Sequence, residues 1–256
     1  MAADLESWMS QLADKLREDV SVEIAAGDKL VGNVIELLIT IDGAHCEIIA
    51  VRSKRKHAHV AVLAERQDAA RRLGELLGFA YRAISRFRNA ERKLVHRIER
   101  CTKSLVAGWT KQMDAFPAEP LARMGEAFPD ARAMCGRGYH VHVPGEDDAH
   151  EKHRYDPLYA VSVPAGERRR ALVYKPQTRQ FVAPAALAKL LPPAAVAAGV
   201  HVADERETMG DIALEATGEV CCELPEFLHV LPDLGSCVPD CGSFDMPDCD
   251  IGGCDL

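Results

Sequence analysis

Between Val60 and Met113 the chain contains no proline. Ala70, Leu73, Leu77, Ala80, Ile84, Phe87, Leu94, Ile98, Cys101 and Leu105 recur there in steps of three and four residues, broken only by Glu91. Side chains at those steps share one face of a helix, so the stretch predicts a basic amphipathic helical segment. Leu76, Phe79, Tyr81, Val95, Val106 and Trp109 widen the apolar stripe beyond that of a two-stranded zipper, and packing on a sheet or in a bundle suits it as well as a coiled coil. Gly74, Gly78 and Gly108 each weaken a helix by ~1 kcal/mol relative to Ala. One long helix and a helical hairpin broken near Gly78 both satisfy the pattern.

The flanking segments read differently. Leu5, Trp8, Met9, Leu12 and Leu16 follow helical spacing after a candidate cap at Asp4. Val20, Val22 and Ile24 then alternate up to Gly27-Asp28, and two β-branched runs, LVGNVIELLITI and CEIIAV, flank Asp42-Gly43, a hairpin dipeptide. These predict a helix packed on a three-stranded antiparallel meander. Past Met113, Pro117, Pro120 and Pro129 mark a linker with a short helix over Leu121 to Phe128. Tyr139 to Val143 alternates as a strand, and LYAVSV and RALVYK flank a turn at Ala165-Gly166. Pro184 opens an Ala- and Leu-rich helix that Pro192-Pro193 ends. With 256 residues and 48% hydrophobic content the chain can bury a core without disulfides. The expected class is α+β. Helix and meander occupy 1–60, the helical segment 61–116, a mixed hairpin and helix region 117–220, and an irregular Cys/Asp-rich tail 221–256.

Charge is distributed unevenly. Residues 52 to 103 carry a net +10 and residues 204 to 256 a net -13, within an overall -8. Fields of that size attract each other or separate partners. Arg52, Lys54, Arg55 and Lys56, followed by Arg82, Arg86, Arg88, Arg92, Lys93, Arg97, Arg100 and Lys103, form a series able to track a nucleic-acid backbone, with Arg168, Arg169 and Arg170 extending it or keeping a strand edge soluble. The N-terminal residues lack a secretory pattern and no stretch reaches eighteen apolar residues, so the expectation is a cytoplasmic chain with no membrane span.

Two constellations bear on metal chemistry. Cys237, Cys241, Cys249 and Cys254 are spaced C-x3-C-x7-C-x4-C in the tail, on a repeat of Pro-Asp steps at Pro232, Pro239 and Pro247. Thiolate pairs two to four residues apart suit tetrahedral zinc, and in a reducing compartment clustered cysteines are metal ligands or redox thiols more often than disulfides. The surrounding aspartates raise the cost of a four-thiolate zinc, already a dianion, yet gather cations at an exchangeable site. Cys46, Cys101 and Cys135 lie in or beside apolar runs and read as core hydrophobes. The second constellation is GYHVHVPGEDDAHEKH, with His140 and His142 at strand alternation and His150 and His153 following. His150 and His153 stand one residue closer than in HExxH.

No Walker A, GxGxxG or GxSxG pattern occurs, which argues against familiar nucleotide-binding and serine-hydrolase types. The residues predict a metal-binding accessory or protein-interaction protein, zinc first, with a protein partner or self-association through the helical seam. The alternatives are a metal-dependent hydrolase built on His140, His142, His150 and His153, with Glu146 or Glu151 as general base, and a nucleic-acid-binding protein using the basic helix.

Overall fold

The computed structural model describes residues 2–26, 34–52, 58–83, 89–142, 152–183, 195, 200–203 and 212–213. All belong to Met1–Val220, the first of two units into which the chain divides; the second is Cys221–Leu256. The order is α1 (Ala2–Leu16), β1 (Ser21–Ala26), β2 (Val34–Ile41), β3 (Ala44–Arg52), β4 (Ala58–Ala64), α2 (Gln67–Ala83), α3 (Asn89–Asp114), α4 (Ala118–Ala127), β5 (Arg132–His142), β6 (Lys152–Ala165), β7 (Arg168–Lys175), β8 (Gln180–Ala183) and β9 (His201–Val202). The class is α+β. The strands form one sheet in chain order, antiparallel throughout except for the parallel pair β8–β9. Three helices thus intervene between the neighbouring strands β4 and β5.

Alternation within each strand divides the sheet into two faces. On one, Leu37, Ile39, Cys46, Ile48, Val60 and Val62 pack under α1, α2 and α3. On the other, Val34, Ile49, Ala61, Leu63, Met134, Leu158, Ala160, Ala171 and Val173 form a second core. In a flat sheet β3 and β7, four strands apart, would be separated by ~19 Å. Here the Ala171 amide donates to the Glu47 carboxylate at 3.1 Å, so the sheet curls until β7 faces β3. A third core lies under α4, where Met124 and Phe128 meet Val161, Val163, Leu172 and Phe181.

Two features tie β5 to its neighbours. Gly136 is packed so closely on β4 that a Cβ there would stand 2.7 Å from the Val62 carbonyl oxygen and overlap the Leu63 side chain. Gln112, buried on α3, donates its amide to the carbonyls of Gly136 at 2.9 Å and Leu158 at 2.6 Å, tying helix to sheet across a β5–β6 pair.

The structure changes several expectations. Ala58–Ala64 is a strand paired with β3, not the start of the helical segment, because Val60 and Val62 alternate into the core with Ala64. The helical segment comprises two helices, and α2 runs through Gly78 to Ala83. Gly74 lies where α3 comes near: a Cβ there would sit 3.4 Å from Thr102 Cγ2. Ala70, Leu73, Leu77, Ala80, Leu94, Ile98, Cys101 and Leu105 are all buried against the chain's own sheet and helices. Self-association through that seam would require it to leave the core. Asp42 and Gly43 form the expected hairpin turn, with φ of 48° and 75°, and Gly166 turns the second hairpin at φ 67°. The expected turn at Gly27-Asp28, the helix from Pro184 and the tail lie outside the described residues. No helix among those residues is long and apolar enough to cross a membrane.

Candidate functional site

The face that curls inward is apolar at Val34, Ile49, Ala61 and Leu63, but Glu36, Glu47 and Glu65 follow the same parity and are buried with them. A carboxylate can stay in such a place only with hydrogen-bonding or charged partners. The β6–β7 hairpin supplies them. Arg168 pairs with Glu23 on β1 and Arg170 with Glu36 on β2. Arg169 Nε lies 3.0 Å from Glu65 Oε1, and Arg132 Nη1 lies 3.2 Å from Glu65 Oε2. Strand β8 pairs with Val173 to Lys175, so among the described residues the first half of β7 has no strand on that side; Glu47 takes the place of one by accepting from the Ala171 amide. The three arginines, expected either to extend a basic surface or to keep a strand edge soluble, pair with these carboxylates across the curled sheet.

Burial and pairing act differently on the two best-defined carboxyls. Burial pushes Glu36 up to about 7, outweighing the Arg170 guanidinium, and the neighbouring Glu47 charge acts in the same direction as burial. Burial also raises Glu65, but hydrogen bonds from Ser162, the His45 amide and Arg132, with the charge of Arg169, outweigh it and hold this carboxyl below the usual range. Glu47 is fully buried; its Oε2 meets His45 Nε2 at 3.2 Å, and its Oε1 has no hydrogen-bond partner among the described residues.

A cavity of about 250 Å³ opens at the end of this seam, lined in part by Thr40, His45, Glu167, Arg168 and Arg169. His45 is only 4% exposed. The walls combine fixed guanidinium groups with carboxylates and hydroxyls, which suits the capture of a small polar molecule. The sequence carries a signal for this site: Glu36 and Glu47 interrupt the apolar runs VIELLITI and CEIIAV, where a solvated loop would not account for them.

The helical layer keeps part of the predicted basic surface. Lys93, His96, Arg100, Lys103 and Lys111 are exposed along α3. Glu99 offsets two of them, at 2.7 Å from Lys103 and 3.6 Å from His96. Arg97 lies over the Tyr139 ring at 4.9 Å. Phe79 is 59% exposed, with the Arg82 guanidinium 4.7 Å from its centroid. Lys54, Arg55, Lys56, Arg86 and Arg88 lie outside the described residues.

The predicted metal residues are placed only in part. His140 and His142 are in β5, paired with Arg154 and Lys152 on β6, and His153 pairs with Val141. Directly paired residues share a face, so the His153 position belongs to the face opposite that of His140 and His142. His150, Glu146, Glu151 and the tail cysteines Cys237, Cys241, Cys249 and Cys254 lie outside the described residues. Cys46, Cys101 and Cys135 are buried in the core as expected. Burial pushes the thiols of Cys46 and Cys135 up to about 12, and that of Cys101 upward as well. Among the described residues no group of His, Cys, Asp or Glu could hold a metal ion. No family, no curated protein and no solved structure matches this chain.

Proposed function

We propose that this chain is a metal-binding accessory or interaction protein, with zinc as its first metal. The observation that carries the reading is the division of its nine cysteines. Cys46, Cys101 and Cys135 are buried in the first unit, and burial disfavours their thiolates. The other six fall in Cys221–Leu256, four of them in the C-x3-C-x7-C-x4-C array. Metals bind the thiolate, so soft-metal chemistry belongs to that second unit. Cysteines in such number, three of them free thiols in the core, also suit a reducing compartment such as the cytoplasm. In this reading the exposed Lys93, Arg100, Lys103 and Lys111 of α3 meet an acidic protein segment, to which their charge is complementary.

Alkylation of the intact chain under reducing conditions tests the metal reading. Zinc is expected to protect at least three of Cys237, Cys241, Cys249 and Cys254, with release of protons because the ligands bind as thiolates. Equal rates with and without zinc would remove the reading. Protection by copper alone would make the array a soft-metal trap.

A further inference from the structure

We propose that the cavity at the end of the arginine–glutamate seam binds a small zwitterion of amino-acid size, its carboxylate held by Arg169 and its ammonium group by Glu23 and Glu167. Arg169 is fixed without help from a ligand. Its Nε donates to Glu65 Oε1 at 3.0 Å and Ser162 Oγ at 2.8 Å, and its Nη2 to the carbonyls of Asp130 at 2.7 Å and Ser162 at 2.8 Å. Its Nη1 has no partner among the described residues, and the side chain lines the cavity. A guanidinium already held through two of its nitrogens loses little freedom when the third meets a carboxylate.

His45 lies in the same wall, backed by Glu47. That carboxylate is completely buried, its Oε1 is unsatisfied among the described residues, and its Oε2 stands 3.2 Å from His45 Nε2, which fixes the ring in the wall beside Arg169. Size and charge narrow the ligand further. The volume of about 250 Å³ falls below the ~300–1,000 Å³ of pockets for drug-sized molecules. Arg168 and Arg169 are balanced by Glu23 and Glu167 among the lining residues, so a phosphate or other polyanion finds no excess of positive charge, whereas a molecule carrying both signs can pair with both. The site makes no use of the tail thiols and stands or falls separately from them.

The test uses the full-length chain, with thermal shift and calorimetric titration against the common free amino acids at millimolar concentration. Each compound that binds is compared with its N-acetyl and carboxamide derivatives, and inorganic phosphate serves as the anion control. At least one free amino acid is expected to give a saturable rise in Tm, and loss of either charge should weaken it at least ~10-fold. Thr40→Trp, at an exposed lining position, should fill the cavity and remove the shift, and Glu167→Arg in the hairpin turn should weaken it without touching the buried network. The proposal is overturned if no free amino acid binds, if phosphate alone gives the same shift, or if the blocked derivatives bind as well as their parents.

Discussion

Glu36 is where burial and pairing compete most directly. Its carboxyl titrates near 7 in the folded chain against 4.5 when unperturbed, so between those values the folded state holds a proton that the unfolded state has lost. Folding stability therefore falls as pH rises across this window, by on the order of a few kcal/mol in total, and no further contribution is lost above it. Glu36→Gln keeps the shape and a polar group for Arg170 but cannot titrate. Urea unfolding at a series of pH values should show the decline between about pH 4.5 and 7 in the parent and a flatter profile in the variant. Glu65 has the opposite sign: its depressed pKa gives stability that is present above 4.5 and lost as the solution is acidified. If the Glu36→Gln profile keeps the parent's slope, the decline belongs to another group.

At the scale of elements, the pairing of β5 with β4 involves a close approach at Gly136. Gly136→Ala is expected to destabilise by ~1–3 kcal/mol, because the new methyl must displace the Leu63 side chain or the Val62 carbonyl. Leu63→Ala removes one of those obstacles while costing core packing of its own. In the double variant the two penalties should add to less than their sum, a coupling measurable by denaturant unfolding. Strict additivity would show that the backbone carbonyl alone sets the limit. None of this close packing is legible in the sequence, where Gly136 precedes the strand expected from Tyr139 to Val143. The meander, by contrast, is plain in the β-branched alternation and the Asp42-Gly43 turn, since both are local properties. The strand Ala58–Ala64 was hidden because its short apolar run adjoins a longer helical pattern, and pairing with β3 decided the choice.

At the scale of the whole molecule, three of the nine cysteines are core residues. In the native chain, alkylation followed by mass mapping is expected to leave Cys46, Cys101 and Cys135 unmodified until denaturant is added, because burial both blocks access and disfavours the thiolate. Labelling of these three at the rate of the tail cysteines would mean that the core opens readily. The sequence by itself determined the α+β class, both hairpin turns, the apolar character of these three cysteines and the presence of a separate Cys/Asp-rich region, because each follows from composition or from periodicity over a few residues. Only the tertiary structure decided that the heptad-like stripe lies against the chain's own sheet, and that Arg168, Arg169 and Arg170 meet Glu23, Glu65 and Glu36. Those partners stand more than a hundred residues away in the chain. No local pattern records which distant carboxylate a guanidinium will meet; the curl of the sheet brings them together.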